Sequence, residues 1–291
     1  MRRLLHGLLL LVALPCYASD STGYQEWVEF KQAFAAELSG PTGIYAIRDM
    51  VELSAGEAVH LPAGKVNDLR WSKTPPAAAI VTVNYTDKRA MASGPGLQAT
   101  DLLQLQGRAL PLGNGLAVKA TPLREKIIKA WLYDAKLPEQ RNFEGLEYFP
   151  YDPRGRITGA FRRNEQPVAV SYLDSRQQAG TMYEVGVIEA MIEGKPHQLK
   201  TFSYRKNWGE VETLLLLLRD RTSGKTTYGG GRVVDISIPK GAPPETITFD
   251  LNRAYSFLCA HSEYFNCPLV LTNRVDADLR FGEKYAPPRG E

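Results

Sequence analysis

The residues best equipped for chemistry crowd into one stretch, Leu214 to Glu283. Three consecutive glycines, Gly229 to Gly231, stand between Tyr228 and Arg232. Such a run permits positive φ and close backbone approach, and its N–H groups can cradle an anion. It is not a nucleotide phosphate loop, because the G-x-x-x-x-G-K-[ST] order is absent. The plainer reading is a tight bend at a sheet corner, with Asp220 and Thr222 capping it through side-chain to backbone hydrogen bonds. Arg232 requires a carboxylate or several acceptors wherever it is buried, and Asp250 or Glu283 is the expected partner. If reachable, it would instead grip a carboxylate or phosphate ligand through paired hydrogen bonds. On a strand, Asp250 and Asn252 face the same side. With Tyr228, Arg232, Tyr255 and Glu283 they are expected to line a small polar pocket. The competing reading is a buried network that fixes an irregular loop.

Acid–base work could fall to a carboxylate pair such as Asp250 and Glu283, which keeps a hydrolase as one alternative to a binding protein, a structural or interaction protein of the cell envelope being the other. The histidines beyond the first few residues are His60, His197 and His261, and neither G-x-S-x-G nor H-E-x-x-H occurs. Cys259, His261 and Cys267 form C-x-H-x5-C, which is no recognised zinc spacing. A disulfide between Cys259 and Cys267 is favoured, with a metal site or free thiols as alternatives. No metal and no cofactor is expected.

The same stretch resembles a bacterial family known as a domain of unknown function, DUF1684. The resemblance rests on Asp220, Thr222-Ser223-Gly224, Thr227-Tyr228-Gly229-Gly230-Gly231-Arg232, Phe249-Asp250, Asn252, Ala254-Tyr255, Cys259-Ala260, Cys267-Pro268, Asn273 and Gly282-Glu283-Lys284. Phe143-Glu144-Gly145 and Phe149-Pro150 extend it upstream, to roughly residues 27–286 in all. Ser256 and Phe257 stand where the family pattern carries Asn-Pro, so a role of that Asn does not transfer. The resemblance implies no activity.

The chain has 291 residues, 44% hydrophobic and 23% charged, an ordinary globular composition. Residues 1–18 read as a signal peptide: Arg2 and Arg3, a short apolar run, then Cys16-Tyr17-Ala18 before the cleavage point. The run is too short to span a bilayer, so no transmembrane segment is expected after processing. Pro15 before Cys16, in place of Gly or Ala, argues against a lipid anchor. The expected location is therefore periplasmic or extracellular, where an even cysteine count favours pairing. Removing Arg2 and Arg3 from the 35 basic residues leaves 33 against 32 acidic ones. That balance offers nucleic acid or an anionic membrane no attraction. A small polar or anionic molecule is the expected partner.

The elements that must position these groups read mainly as β. A helix is expected over 24–38, with Trp27, Phe30, Phe34 and Leu38 on one stripe and Gly40-Pro41 as its stop. That stripe is expected to pack into the core and cap the end of a sheet. Short strands separated by turns follow: 44–47, 50–53, 57–61, 67–71, 79–85, 125–133, 156–161, 167–173, 183–192, 199–204 and 212–219. Residues 97–114 read as a long hairpin or a lid-like loop. Leu214 to Leu218 suggests a strand buried on both faces, with a short buried helix as the alternative. Residues 19–291 are expected to form a single β-rich domain, an antiparallel barrel or two-sheet sandwich with an N-terminal capping helix. A sub-lobe boundary is expected near residue 120.

Overall fold

The computed structural model describes residues 21–285. The expected leader, residues 1–18, lies outside the described residues. The first element, α1, runs Ser21–Ser39. After it the chain folds back so closely that a Cβ on Gly43 would lie 2.3 Å from the carbonyl oxygens of Glu37 and Leu38. Only glycine fits there.

Eight strands follow: β1 (Ile47–Ser54), β2 (Ala58–Pro62), β3 (Ala79–Tyr85), β4 (Ala90–Gly94), β5 (Leu97–Asp101), β6 (Leu110–Gly113), β7 (Leu116–Arg124) and β8 (Ile127–Asp134). They form two antiparallel four-stranded sheets, ordered β1-β8-β7-β6 and β2-β3-β4-β5. Alternate inward residues of both sheets, among them Leu53, Val59, Val81, Val118 and Leu132, share one core.

The second half contributes β9 (Arg156–Leu173), β10 (Ala179–Ile192), β11 (Lys195–Ser203), β12 (Thr213–Arg219), β13 (Arg232–Ser237), β14 (Thr246–Asp250), β15 (Tyr255–Ser256) and β16 (Asn273–Arg274). Their sheet is ordered β14-β9-β10-β11-β12-β13-β15, with β16 parallel to β12. The leucine run lies mid-sheet, as its composition predicts. Leu214, Leu216 and Leu218 face one core with Ile188, Val234 and Phe249, while Leu217 faces another with Met182, Val233 and Phe257. The sheet curls until β13 and β14 come within 8 Å, but no ladder joins them. The fold is mainly β, and sandwich packing describes it better than a closed barrel.

Several expected boundaries move. The pair 156–161 and 167–173 is one strand. Its register against β10 passes from Arg163↔Gly186 to Val168↔Glu184, so residues 164–167 bulge opposite Val185. Asn164 holds the bulge: its Nδ2 donates to the Glu184 carbonyl at 2.9 Å, and its own carbonyl accepts from Trp208 Nε1 at 3.0 Å. Residues 44–46 and 66–68 are single 3-10 turns rather than strands. Residues 97–114 form neither hairpin nor lid, because β5 and β6 belong to different sheets. Buried Leu102 anchors the turn between them.

The helix α1 straddles both halves. Glu26 Oε2 lies 3.0 Å from Arg156 Nη1 and 2.8 Å from Arg253 Nη2. At the other end, Leu38 packs with Ile44, Ile47, Trp131 and Tyr133, and the same cluster receives Leu258, Tyr264 and Phe265. Residues 257–268 thus lie across the β1–β8 face, where Lys129 Nζ donates to the Tyr264 carbonyl at 2.9 Å.

Candidate functional site

The glycine-rich turn is closed by its own polar groups. Gly231 adopts φ +109°, and a Cβ there would lie 2.4 Å from the Leu218 carbonyl. That close crossing aims Arg232 inward, where it is 2% exposed. Its expected partners Asp250 and Glu283 are not the ones it takes. Arg232 Nη2 donates to Asp220 Oδ2 at 2.5 Å and to the Leu279 carbonyl at 3.0 Å, and Nη1 donates to the Phe281 carbonyl. Asp220 Oδ1 accepts from the Thr222 amide at 2.6 Å and from its hydroxyl at 2.5 Å, so one carboxylate caps the turn and neutralises the arginine. Burial lowers the guanidinium's proton affinity, while Asp220 and, at longer range, Glu283 oppose that fall.

Asp250 and Asn252 do share a site, and it too is filled from within. Asp250 Oδ1 accepts from the Asn252 amide at 2.9 Å and from its Nδ2 at 2.7 Å. Asn252 clasps Asp152 at both backbone groups, donating to its carbonyl at 2.8 Å and accepting from its amide at 3.0 Å. This fastens the chain before β9 to the turn after β14. Glu283 is 1% exposed; its Oε2 accepts from the Ser256 amide at 2.7 Å. Its Oε1 lies 3.2 Å from His261 Nε2, and His261 Nδ1 lies 2.9 Å from the Tyr45 hydroxyl. Burial, reinforced by Glu283, pushes the Tyr45 phenol up to about 12. Cys259 and Cys267 form a disulfide, so both thiols are taken and the metal alternative with His261 is not assembled. Tyr228 is half-buried, edge-on to Tyr285 at 5.0 Å, with its hydroxyl 3.7 Å from Cys259 Sγ.

Tyr255 stands apart from the other five. It lines a cleft of about 740 Å³ between α1, the β7–β8 face, β13 and the disulfide loop. The stripe residues Phe30 and Phe34 line this cleft, and Phe34 also packs against the Leu38, Trp131 and Tyr133 core. Phe34 meets the Tyr255 ring at 4.7 Å. The Tyr255 hydroxyl donates to Asp235 Oδ2 at 3.0 Å. Asp235 keeps an exposed surface, yet partial burial in the cleft raises its carboxyl above the usual carboxylate range; the Tyr255 hydrogen bond opposes this, and nearby Glu37 adds to it. Burial, and then Asp235 itself, raise the Tyr255 phenol. Tyr133 and Lys119 contribute from the other half of the chain, and burial pushes the Tyr133 phenol up to about 12. A second pocket of about 210 Å³ shares Tyr255, Leu258 and Phe265 with the first.

Asp235 and Glu37 carry no sequence signal. One occupies an ordinary outward position of a strand, the other of a helix, and neither belongs to a motif. The helix stripe was the available hint, although aromatics at that spacing read as core packing.

Among the described residues no group of three or more His, Cys, Asp or Glu is placed to hold a metal, and no helix is long and apolar enough to cross a membrane. No curated protein matches the chain. Among solved structures, it is similar to an uncharacterized protein of Haloarcula marismortui solved by NMR. The two are 30% identical over 50% of this chain and 80% of that one, with a TM-score of 0.42. Residues 141–284 match the family model described as a protein of unknown function, DUF1684, a narrower span than 27–286. That span holds β9 to β16, the glycine-rich turn, the disulfide and Glu283, and through it the chain belongs to the DUF1684 family.

Proposed function

We propose that this is an exported protein that binds a small molecule in the cleft beside Tyr255 and Asp235. The observation that carries the reading is the cleft itself, about 740 Å³ walled by aromatic rings, with the Tyr255–Asp235 pair at its polar end. Its size and its few convergent polar groups fit the usual character of a ligand site. An anion beside the Gly229–Arg232 turn would have to displace Asp220, whose side chain has no exposed surface, so the reading places the ligand at Tyr255. Export rests on the leader read from residues 1–18.

The test is a thermal-shift panel of metals, nucleotides, sugars, organic acids and aromatic amines on residues 19–291, run beside Ala33→Trp. Ala33 is exposed on α1 and lines the cleft, so the indole fills the site without entering a core. Ligands that raise the wild-type melting temperature and leave the variant unmoved support the reading. Equal stabilisation of both proteins contradicts it. A hydrolase is the second reading, and one observation favours it: a carboxyl pushed up beside a second carboxylate suits general acid chemistry. Turnover of chromogenic glycosides or esters that Asp235→Asn abolishes would replace binding with catalysis.

A further inference from the structure

The cleft's chemistry narrows what it takes. Its carboxylates, Asp235 and Glu37, have no ion-pair partner among the described residues. The cation in the lining, Lys119, has its ammonium 4.0 Å from where a Cβ on Gly107 would stand, at the β5–β6 connection. The walls are aromatic: Phe30 stacks on Phe34 at 5.6 Å, Phe34 tilts against Tyr255, and Tyr133 and Phe265 also line the cleft. Ring faces carry negative charge density and attract cations, more strongly where water is excluded. Carboxylates without an ion-pair partner beside an aromatic wall repel an anion, and with Lys119 counted the cleft is short of one positive charge. Resting on the cleft as ligand site, we infer that the ligand is an organic cation: an ammonium group on an apolar body, its charge between Asp235 and Glu37 and its body against Phe34 and Tyr255.

Three probes of similar size separate charge from shape: phenethylammonium, 2-phenylethanol and 3-phenylpropionate, each titrated calorimetrically at pH 7.5 to 20 mM. Phenethylammonium is expected to bind about tenfold more tightly than 2-phenylethanol, with 3-phenylpropionate weakest. Asp235→Asn keeps an acceptor for the Tyr255 hydroxyl and should weaken the cation about tenfold, leaving the alcohol within about twofold. Glu37→Gln, on the exposed side of a helix turn, should act in the same direction and serves if Asp235→Asn folds poorly. Ala33→Trp should remove binding of both cation and alcohol. If the alcohol or the carboxylate binds as well as the cation, and the carboxylate substitutions change nothing while Ala33→Trp still blocks, the cation assignment fails and the cleft stands. If no probe binds, or Ala33→Trp blocks none of them, both fail.

Discussion

Replacing Arg232 by methionine should be among the most destabilising single changes in this chain. The side chains of Arg232 and Asp220 are 3% and 0% exposed, so neither charge retains water. Arg232→Met removes the guanidinium but leaves the Asp220 carboxylate buried, still bound at Oδ1 by Thr222 and bare at Oδ2. The carbonyls of Leu279 and Phe281 lose their donor as well. Breaking a buried pair from one side costs about 3–5 kcal/mol, because the remaining charge is uncompensated. With a urea m-value near ~2 kcal/mol/M, that lowers the unfolding midpoint by about 1.5–2.5 M. The assay is urea denaturation at pH 7 followed by tryptophan fluorescence and circular dichroism. Adding Asp220→Asn to Arg232→Met removes the orphaned charge and should recover at least ~1 kcal/mol over the single variant. A single variant within about 0.5 kcal/mol of wild type, or a double variant no more stable than the single, would falsify the buried-pair account. At urea concentrations where it remains folded, Arg232→Met should keep its affinity for cleft ligands.

Other consequences are independent of this pair. The Tyr45 and Tyr133 phenols are held near 12 against about 10 in an unfolded chain. Their burial favours the neutral form, so the stability they contribute is whole below pH ~10 and disappears as pH rises toward ~12. Phenolate absorbance at 295 nm should therefore stay incomplete until circular dichroism is lost; full ionisation of a folded protein by pH 11 would contradict this. Asp235 has the same sign in a lower pH range: its carboxyl is raised, so ionisation opposes folding at neutral pH, and stability returns as pH falls through its folded-state value. Asp235→Asn should raise the melting temperature at pH 7 while weakening cation binding, and a lower melting temperature would count against a raised carboxyl. The groups facing Asp235 include Glu37 on α1 and Tyr255, and Lys119 lines the same cleft, so cation affinity should decline in acid as Asp235 gains its proton. Cys259→Ser with Cys267→Ser, which opens a loop spanning 8 positions, should cost about 2–3 kcal/mol in unfolding free energy. Gly231→Ala forces a Cβ against the Leu218 carbonyl at a positive φ, and should cost roughly 1–3 kcal/mol by the same urea assay.

Much of the scaffold was legible because its signals are local. Alternation placed β3 at Ala79–Tyr85, and an unbroken leucine run marked β12 as buried on both faces. Other signals misled for physical reasons. Residues 156–161 and 167–173 read as two separate strands, but the ladder resumes beyond the Asn164–Pro167 bulge. Apolar residues 44–46 read as strand, although they are turned by the close return after α1. Arg232 was assigned to distant acids, whereas the turn brings back Asp220, twelve positions earlier. Of the residues gathered around the glycine-rich turn, Arg232, Asp250, Asn252 and Glu283 are buried and bonded to groups inside the fold. Tyr255 alone among the six reaches the cleft. That cleft is built from a helix, two sheets and a disulfide loop that are far apart in the chain. Its carboxylates sit where any exposed acid would, and only the tertiary packing makes them neighbours.

The most direct test of the cleft as ligand site is a two-dimensional amide NMR titration of ¹⁵N-labelled protein with phenethylammonium. The predicted result is shifts concentrated at Phe30 to Gly43, around Asp235 and from Tyr255 to Phe265, with the Tyr228 to Arg232 amides unmoved. Shifts centred on the glycine-rich turn, or none up to 20 mM, would contradict it.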